Sequence, residues 1–265
     1  MKLEILLSCM HQSDTALLHR SNITGHVLMI NQCDREGELT CQTRQGAGRM
    51  ISTTQRGLTK SRNMAIREST GDVCLLCDDD EVFLADYEEK ILTAYRQLPQ
   101  ADVIIFKMKD RPASFPDKIM ELKFPKVMKV SSWQISFRRE RLLTTGVRFD
   151  ELLGAGTGNG GEEELKFLMD CSRAGLKIYY VPQEIASVAQ TSSTWFEGFD
   201  RTFFENRGAT TRYILGLPLA LVYALYYVIK KRPYYKELLT MPQAMKAILK
   251  GMKENKLTKQ KEGKK

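Results

Sequence analysis

The feature that most constrains this 265-residue sequence is an apolar run, Val73-Cys74-Leu75-Leu76-Cys77, that passes directly into Asp78-Asp79-Asp80-Glu81. Turn residues Ser69-Thr70-Gly71-Asp72 precede it. A short apolar run bounded in this way reads as a strand buried on both faces, as in the centre of a parallel sheet. In open α/β sheets ligands sit at the carboxyl ends of strands, so the acids lie where a ligand is expected. Adjacent carboxylates repel one another unless solvent or a cation separates them. Mg²⁺ and Mn²⁺ take one or two carboxylates together with substrate phosphates, and a nucleoside-diphosphate sugar is such a substrate. A solvated acidic turn is the alternative, and the acids alone do not choose between the two.

The surrounding pattern is alternating. Residues 3–9 and 26–31 read as buried strands, with a helix between them over roughly 14–22. A polar, Gly-bearing stretch covers 35–48. Residues 58–68 read as a helix with Leu58, Met64 and Ala65 inward, 86–98 as another helix, and 103–108 as a strand. Trp133 to Arg138 reads as a strand and 139–143 as a short helix. A loop with five glycines in the eight positions 154–161 follows, then a helix over 162–174. A last strand at 177–181 is closed by Pro182. Strand–helix alternation of this kind specifies a doubly wound α/β domain.

The stretch Gly57-Leu58-Thr59-Lys60-Ser61-Arg62-Asn63-Met64-Ala65-Ile66, then Thr70-Gly71-Asp72, then the apolar strand and Asp78-Asp79-Asp80, resembles the core of the family-2 glycosyltransferases of the GT-A fold. The resemblance covers about residues 1–190 and is most specific over 57–87. It implies a Rossmann-like, mostly parallel sheet flanked by helices, and a nucleotide-sugar donor, UDP-linked above all. It also implies Mn²⁺ or Mg²⁺ as cofactor. Carried over position by position, it implies Asp80 as the direct metal ligand, and Asp78 on the metal or the nucleotide ribose with Asp79 beside it. Arg62 would reach the donor, Asn63 would brace the loop, and Ser8, Cys9 and Met10 would line the base pocket. The family's base-reading Asp pair is replaced here by Asn31-Gln32, with Asp34 beyond, so Gln32 and Asp34 are the candidates at that place. Amides donate as well as accept, which alters the base contacts.

An inverting transfer needs a carboxylate to deprotonate the acceptor hydroxyl. Glu162-Glu163-Glu164 follows the glycine loop at a helix start, where acids also complement the helix dipole without any catalytic role. The family's Gly-Glu-Asp element resembles this place. Counting back from Arg173-Ala174-Gly175 selects Glu164 as the base, and counting forward from Gly161 selects Glu163. The glycine loop could close over an acceptor or simply connect. Trp133 and Trp195 read as core or interface residues first, with sugar stacking the alternative. Tyr179 and Tyr180 read as packing, and His11 as a loop residue.

The net charge is +8, yet residues 230–265 hold twelve Lys or Arg against three Glu, so the rest is near neutral. A nucleic-acid binder would spread basic residues over its folded domain; a basic tail suits an anionic lipid surface. Residues 213–229 carry no charge but contain Gly216 and Pro218. Both the tail and the donor call for the cytoplasmic side, so an interfacial or re-entrant segment is expected rather than a span. Met241, Met245, Ile248, Leu249 and Met252 fall on one helical face suited to lying on lipid. The six cysteines form no disulfide or zinc pattern, and Cys74 and Cys77 belong to the central strand. The organisation expected is a GT-A domain over 1–205 and a helical, membrane-associating tail over 206–265. The chain would act on a lipid-linked or polysaccharide acceptor, as in capsule or exopolysaccharide assembly, at the inner face of the cell membrane. A nucleotidyltransferase would share the architecture, but Cys9-Met10-His11-Gln12 lacks its glycine-rich basic loop. An inactive membrane-surface scaffold would not need carboxylates in both clusters.

Overall fold

The computed structural model describes residues 1–159, 161–188 and 198–262. It divides into two compact units.

The first unit, Met1–Phe149 with Glu164–Thr191, is built on one sheet. Its strands are β1 (Leu3–Met10), β2 (His26–Gln32), β3 (Gly37–Gln42), β4 (Ala47–Thr53), β5 (Val73–Cys77), β6 (Glu81–Phe83), β7 (Val103–Met108), β8 (Met120–Glu121), β9 (Ile135–Arg138) and β10 (Ile178–Val188). The order is β3-β4-β2-β1-β5-β9-β7-β10-β6, with β8 on β10. The four strands β4, β2, β1 and β5 are mutually parallel. The far half is mixed, because β9 runs antiparallel to both β5 and β7. The expectation of a mostly parallel sheet therefore describes the half that carries the acids, and the whole is a mixed α/β sheet.

Helices α1 (Ala16–Arg20), α2 (Leu58–Glu68), α3 (Tyr87–Gln97), α4 (Arg139–Thr145) and α5 (Glu163–Arg173) complete the unit. Three expectations change. The 35–48 stretch contains β3, which pairs antiparallel with β4. Nearly all of β3 is exposed, so it offers no apolar alternation to read. Pro182 does not close β10; the register shifts between Val181 and Glu184, and the strand continues to Val188. Proline lacks a ladder donor and is accommodated at such an irregularity. In α2 the inward residues are Thr59, Ser61, Arg62, Ala65 and Ile66, while Leu58 and Met64 are only half-buried. A helix burying polar side chains is one that holds them for a purpose other than packing.

The second unit comprises Asp150–Glu163 together with α6 (Arg201–Leu215), α7 (Leu217–Tyr235), α8 (Met241–Glu254) and α9 (Lys256–Glu262). The glycine loop thus groups with the helices, and Gly160 lies outside the described residues. Asp200 caps α6 by accepting from the Phe203 amide (2.7 Å). Gly216, at φ 76°, turns the chain from α6 into α7. Thr240 and Gln243 form a capping box at α8. Where α6 and α8 cross, a Cβ on Gly208 would collide with the Ile248 carbonyl, and one on Gly251 with the Glu205 carbonyl. Phe204, Ala220, Ala224, Tyr227, Val228, Ala247 and Ile248 form the core of this unit.

That core corrects the expected lipid face of the tail. Ile248 and Met252 are buried with Ala244, Ala247 and Gly251, while Met241 and Leu249 are exposed. The apolar face left outward is on α7, where Leu221, Val222, Leu225, Tyr226 and Ile229 are all exposed. Among the described residues no helix is long and apolar enough to cross a membrane.

Candidate active site

Parallel β4, β2, β1 and β5 bring Thr53, Gln32, Met10 and Cys77 to one edge of the sheet. The loops that follow these strands hold most of the candidate residues. Asp78, Asp79 and Asp80 turn sharply into β6, and the Asp78 amide donates to Glu81 Oε1 (2.8 Å). Glu81 is buried, and its Oε2 has no hydrogen-bond partner among the described residues. Burial, and then the charge of Asp78, holds the Glu81 carboxyl well above the usual range. The same two causes raise Asp79 and Asp80, with Arg111 opposing the rise at Asp80. Crowded negative charge of this kind favours a cation or protons.

Arg62 joins this turn to the second cluster. It is 1% exposed, and its Nη2 donates to both oxygens of Asp78 (3.1 and 3.3 Å). Its Nη1 donates to Glu164 Oε1 (3.4 Å). The guanidinium also lies over the Phe149 ring, 5.4 Å from its centroid. Phe149 in turn stacks on Phe167. Asn63 fixes this neighbour: its Nδ2 donates to the Phe149 carbonyl (2.9 Å) and its Oδ1 accepts from the Phe149 amide (2.8 Å). Ser132 Oγ donates to Asp78 Oδ2 (3.1 Å). Ser132 and Phe149 carry no motif, and long-range contacts of this kind leave no trace in spacing.

A buried guanidinium between two carboxylates is strongly coupled to them, and removing one partner of such a group typically costs about 3–5 kcal/mol. Arg62→Met is therefore expected to lower unfolding stability by that order in urea titration. An Arg62→Met protein as stable as wild type would show that the pair is dispensable.

The three glutamates separate. Glu162, at φ 81°, pairs with Arg207 of the helical unit. Glu163 is 5% exposed. Glu164 pairs with Arg62 and retains 18% of its side-chain surface.

The base-pocket candidates are placed differently from one another. Ser8 is buried and accepts from Ser61 Oγ (2.9 Å), tying β1 to α2. Cys9 is buried, and burial followed by the charge of Asp79 pushes its thiol up to about 12. Met10 is exposed at the edge. Gln32 is buried, and its Oε1 accepts from the Gly57 amide (2.7 Å), so the amide in the family's Asp position holds the start of α2. Asn31 exchanges hydrogen bonds with the backbone of Gln12 (2.9 and 2.8 Å). Asp34 is largely exposed and pairs with Arg56. Trp195 lies outside the described residues.

Among the described residues no three His, Cys, Asp or Glu side chains gather into a metal-holding group. Mg²⁺ or Mn²⁺ is commonly held by one or two carboxylates, which the acidic turn could supply, together with substrate phosphates.

A half-parallel sheet with an acidic turn at its carboxyl edge is the arrangement of the GT-A fold. The chain is similar to the S. aureus TarS 1-349 structure in complex with UDP-GlcNAc, with TM-score 0.63, 14% identity, and coverage of 95% of this chain and 82% of that one. It is also similar to the mannosyltransferase PcManGT from Pyrobaculum calidifontis in complex with GDP-Man and Mn²⁺, with TM-score 0.51, 12% identity, and coverage of 94% and 73%. At these identities the likeness shows the fold. Residues 41–150 match the family model "Glycosyl transferase family 2". A 90-residue stretch is 29% identical to an "Uncharacterized glycosyltransferase" of Haemophilus influenzae, covering 34% of this chain and 31% of that relative. The chain thus spans about a third of the curated relative it matches. Residues 41–150 are thus similar in sequence to the family-2 glycosyltransferases, and the chain shares the fold of the solved transferases.

Proposed function

We propose that the chain transfers a sugar, with inversion, from a nucleoside-diphosphate donor to a lipid-linked or glycan acceptor. The observation that carries this reading is Arg62, which couples the acidic turn to Glu164 inside one compact unit. The donor would lie over the β1, β2, β4 and β5 edge, its nucleotide beside Met10 and its diphosphate at the acidic turn. UDP is the nucleotide we favour, because structural neighbours are described with UDP-GlcNAc and UDP. Asp80 would hold Mn²⁺ or Mg²⁺, with Asp78 contributing less because Arg62 and Ser132 already engage both its oxygens. Such an ion, when bound, neutralises charge on the departing diphosphate. Glu164 accepts the proton of the acceptor hydroxyl as that oxygen attacks the anomeric carbon. Arg62 holds Glu164 and Asp78 in fixed relation and is a positioning residue, since its burial keeps it from the donor.

A thermal-stability screen of nucleotide sugars with Mn²⁺ tests this directly. A ligand at a hundred times its Kd stabilises by about 2.7 kcal/mol. At least one UDP-sugar is expected to raise the midpoint in the presence of Mn²⁺. No shift with any UDP- or GDP-sugar would remove the reading.

In the same reading the sheet unit carries the chemistry, and the helices from α6 onward hold the chain at the inner, anionic face of the cell membrane. Capsule or exopolysaccharide assembly is the process we infer. The support is α7. Its outward apolar face runs to Lys230, Lys231 and Arg232, and Lys236 follows. Each Lys or Arg near an anionic surface contributes about 1 kcal/mol, and buried aliphatic side chains add about 1.5–3 kcal/mol each. The double variant Val222→Glu/Leu225→Glu is expected to lose flotation with phosphatidylglycerol vesicles by at least about tenfold. Wild type is expected to float poorly with phosphatidylcholine alone. Flotation unchanged in the variant, or self-association through this face in its place, would contradict membrane docking.

A further inference from the structure

One cavity of the sheet unit stands apart from the residues used so far. It measures about 170 Å³ and lies where the end of β7, the chain that follows it, the turn at 131–134 and β10 meet. Its wall includes Lys107, Arg111, Ser114, Trp133, Gln134 and Tyr180. Two of the lining residues are cations, and none is a carboxylate. Drug-sized ligands occupy pockets of about 300–1,000 Å³, so this one suits a single small unit.

Tyr180 was expected to pack, and its ring does so against Phe115, with centroids 4.9 Å apart. Its hydroxyl does something else. The side chain is 1% exposed, lines the cavity, and its OH has no hydrogen-bond partner among the described residues. A buried hydroxyl left unsatisfied is costly, and nearly all such groups find a partner. A partner supplied by a ligand accounts for it. Arg111 lies over the Trp133 ring, 5.6 Å from its centroid. An indole and a guanidinium placed together offer apolar contact to the C–H face of a sugar and charge to an anionic substituent. Lys107 is paired with Glu184 (3.0 Å), which is not part of the lining.

The cavity is also close to the acidic turn. Ser132, next to Trp133, donates to Asp78, and Arg111 acts electrostatically on Asp80. It lies on the β7 and β10 side of that turn, across β9 from the strands assigned to the donor.

We propose that this cavity is an acceptor subsite for a sugar unit carrying a phosphate or carboxylate, with Tyr180 OH and Arg111 recognising the anion and Trp133 the ring. The proposal rests on the glycosyltransferase reading above.

The test is titration calorimetry of the whole chain with glucose 6-phosphate, glucuronate, glucose and inorganic phosphate. One or both anionic sugars bind at least about tenfold more tightly than glucose or phosphate, the scale of a hydrogen bond to a charged group. Which of the two binds better tells phosphate from carboxylate. Tyr180→Phe and Trp133→Ala each weaken that binding at least about fivefold. Tyr180→Phe leaves the unliganded thermal midpoint unchanged or higher, because it removes a hydroxyl that has no partner among the described residues. Equal binding of glucose, binding indifferent to Tyr180→Phe, or a lowered midpoint in that variant overturns the subsite. Titrating the same proteins with UDP-sugars separates the two claims. Loss of UDP-sugar binding with retained anionic-sugar binding sinks the transferase reading alone, and the converse sinks the subsite alone.

Discussion

Glu164→Gln is expected to lower kcat by about a hundred- to ten-thousand-fold while the donor still binds, the range that general-base groups contribute. Gln keeps an oxygen that can accept from Arg62 Nη1, so that hydrogen bond can persist while the negative charge and the basic oxygen are lost. The change should therefore appear in the chemical step and leave donor affinity nearly untouched. Glu163→Gln is the internal control, because Glu163 is the other residue the glutamate run offers. Should Glu163→Gln abolish transfer and Glu164→Gln leave it intact, the base is one residue earlier and the Arg62 bridge is structural only. Single-turnover rates, with donor binding measured separately, distinguish these outcomes.

Asp80→Ala is expected to reduce divalent-metal-dependent transfer by about a thousandfold or more, since charge neutralisation of a leaving diphosphate is worth several kcal/mol. The effect should be larger than that of Asp79→Ala. Asp79 is the most exposed of the three aspartates. Asp78→Ala should differ in kind. It strips the buried Arg62 of one of its two carboxylate partners and should lower stability as well as rate. A metal titration of Asp80→Ala that matches wild type in affinity and rate would place the ion elsewhere.

Much of this was legible in the sequence, for identifiable reasons. The strands β1, β2, β5 and β7 are mainly apolar runs, and burial on both faces gives such strands a pattern that turns and polar loops interrupt cleanly. The helix over 58–68 was read with its observed bounds because Gly57 and Ser69 bracket it. The antiparallel hairpin of β3 and β4 was not legible, since β3 is nearly all exposed and β4 sets glycine, serine and threonine at buried positions. The inward face of α2 was misjudged for a related reason. Hydrophobic periodicity looks for Leu58 and Met64, whereas the helix buries Arg62 to serve two carboxylates distant in sequence. The tail is helical as read, but the α8 face expected to lie outward is largely buried. Glycines at 208 and 251 let α6 and α8 approach closely, and that contact takes the α8 face and leaves the α7 face outward. At the site itself the acids and Arg62 stood out by motif. Ser132, Phe149 and the unpartnered Tyr180 hydroxyl emerge only from tertiary geometry.

The central claim, that this chain moves a sugar from a nucleotide donor, is most directly tested by nucleoside-diphosphate release. Purified wild type, Asp80→Ala and Glu164→Gln are each incubated with UDP- and GDP-sugars and Mn²⁺, and the freed diphosphate is measured over time. At least one donor is expected to be consumed by wild type, with release abolished by chelator and sharply reduced in both variants. Folded wild-type protein that consumes none of the donors, or a release rate that both variants share with wild type, would contradict the account.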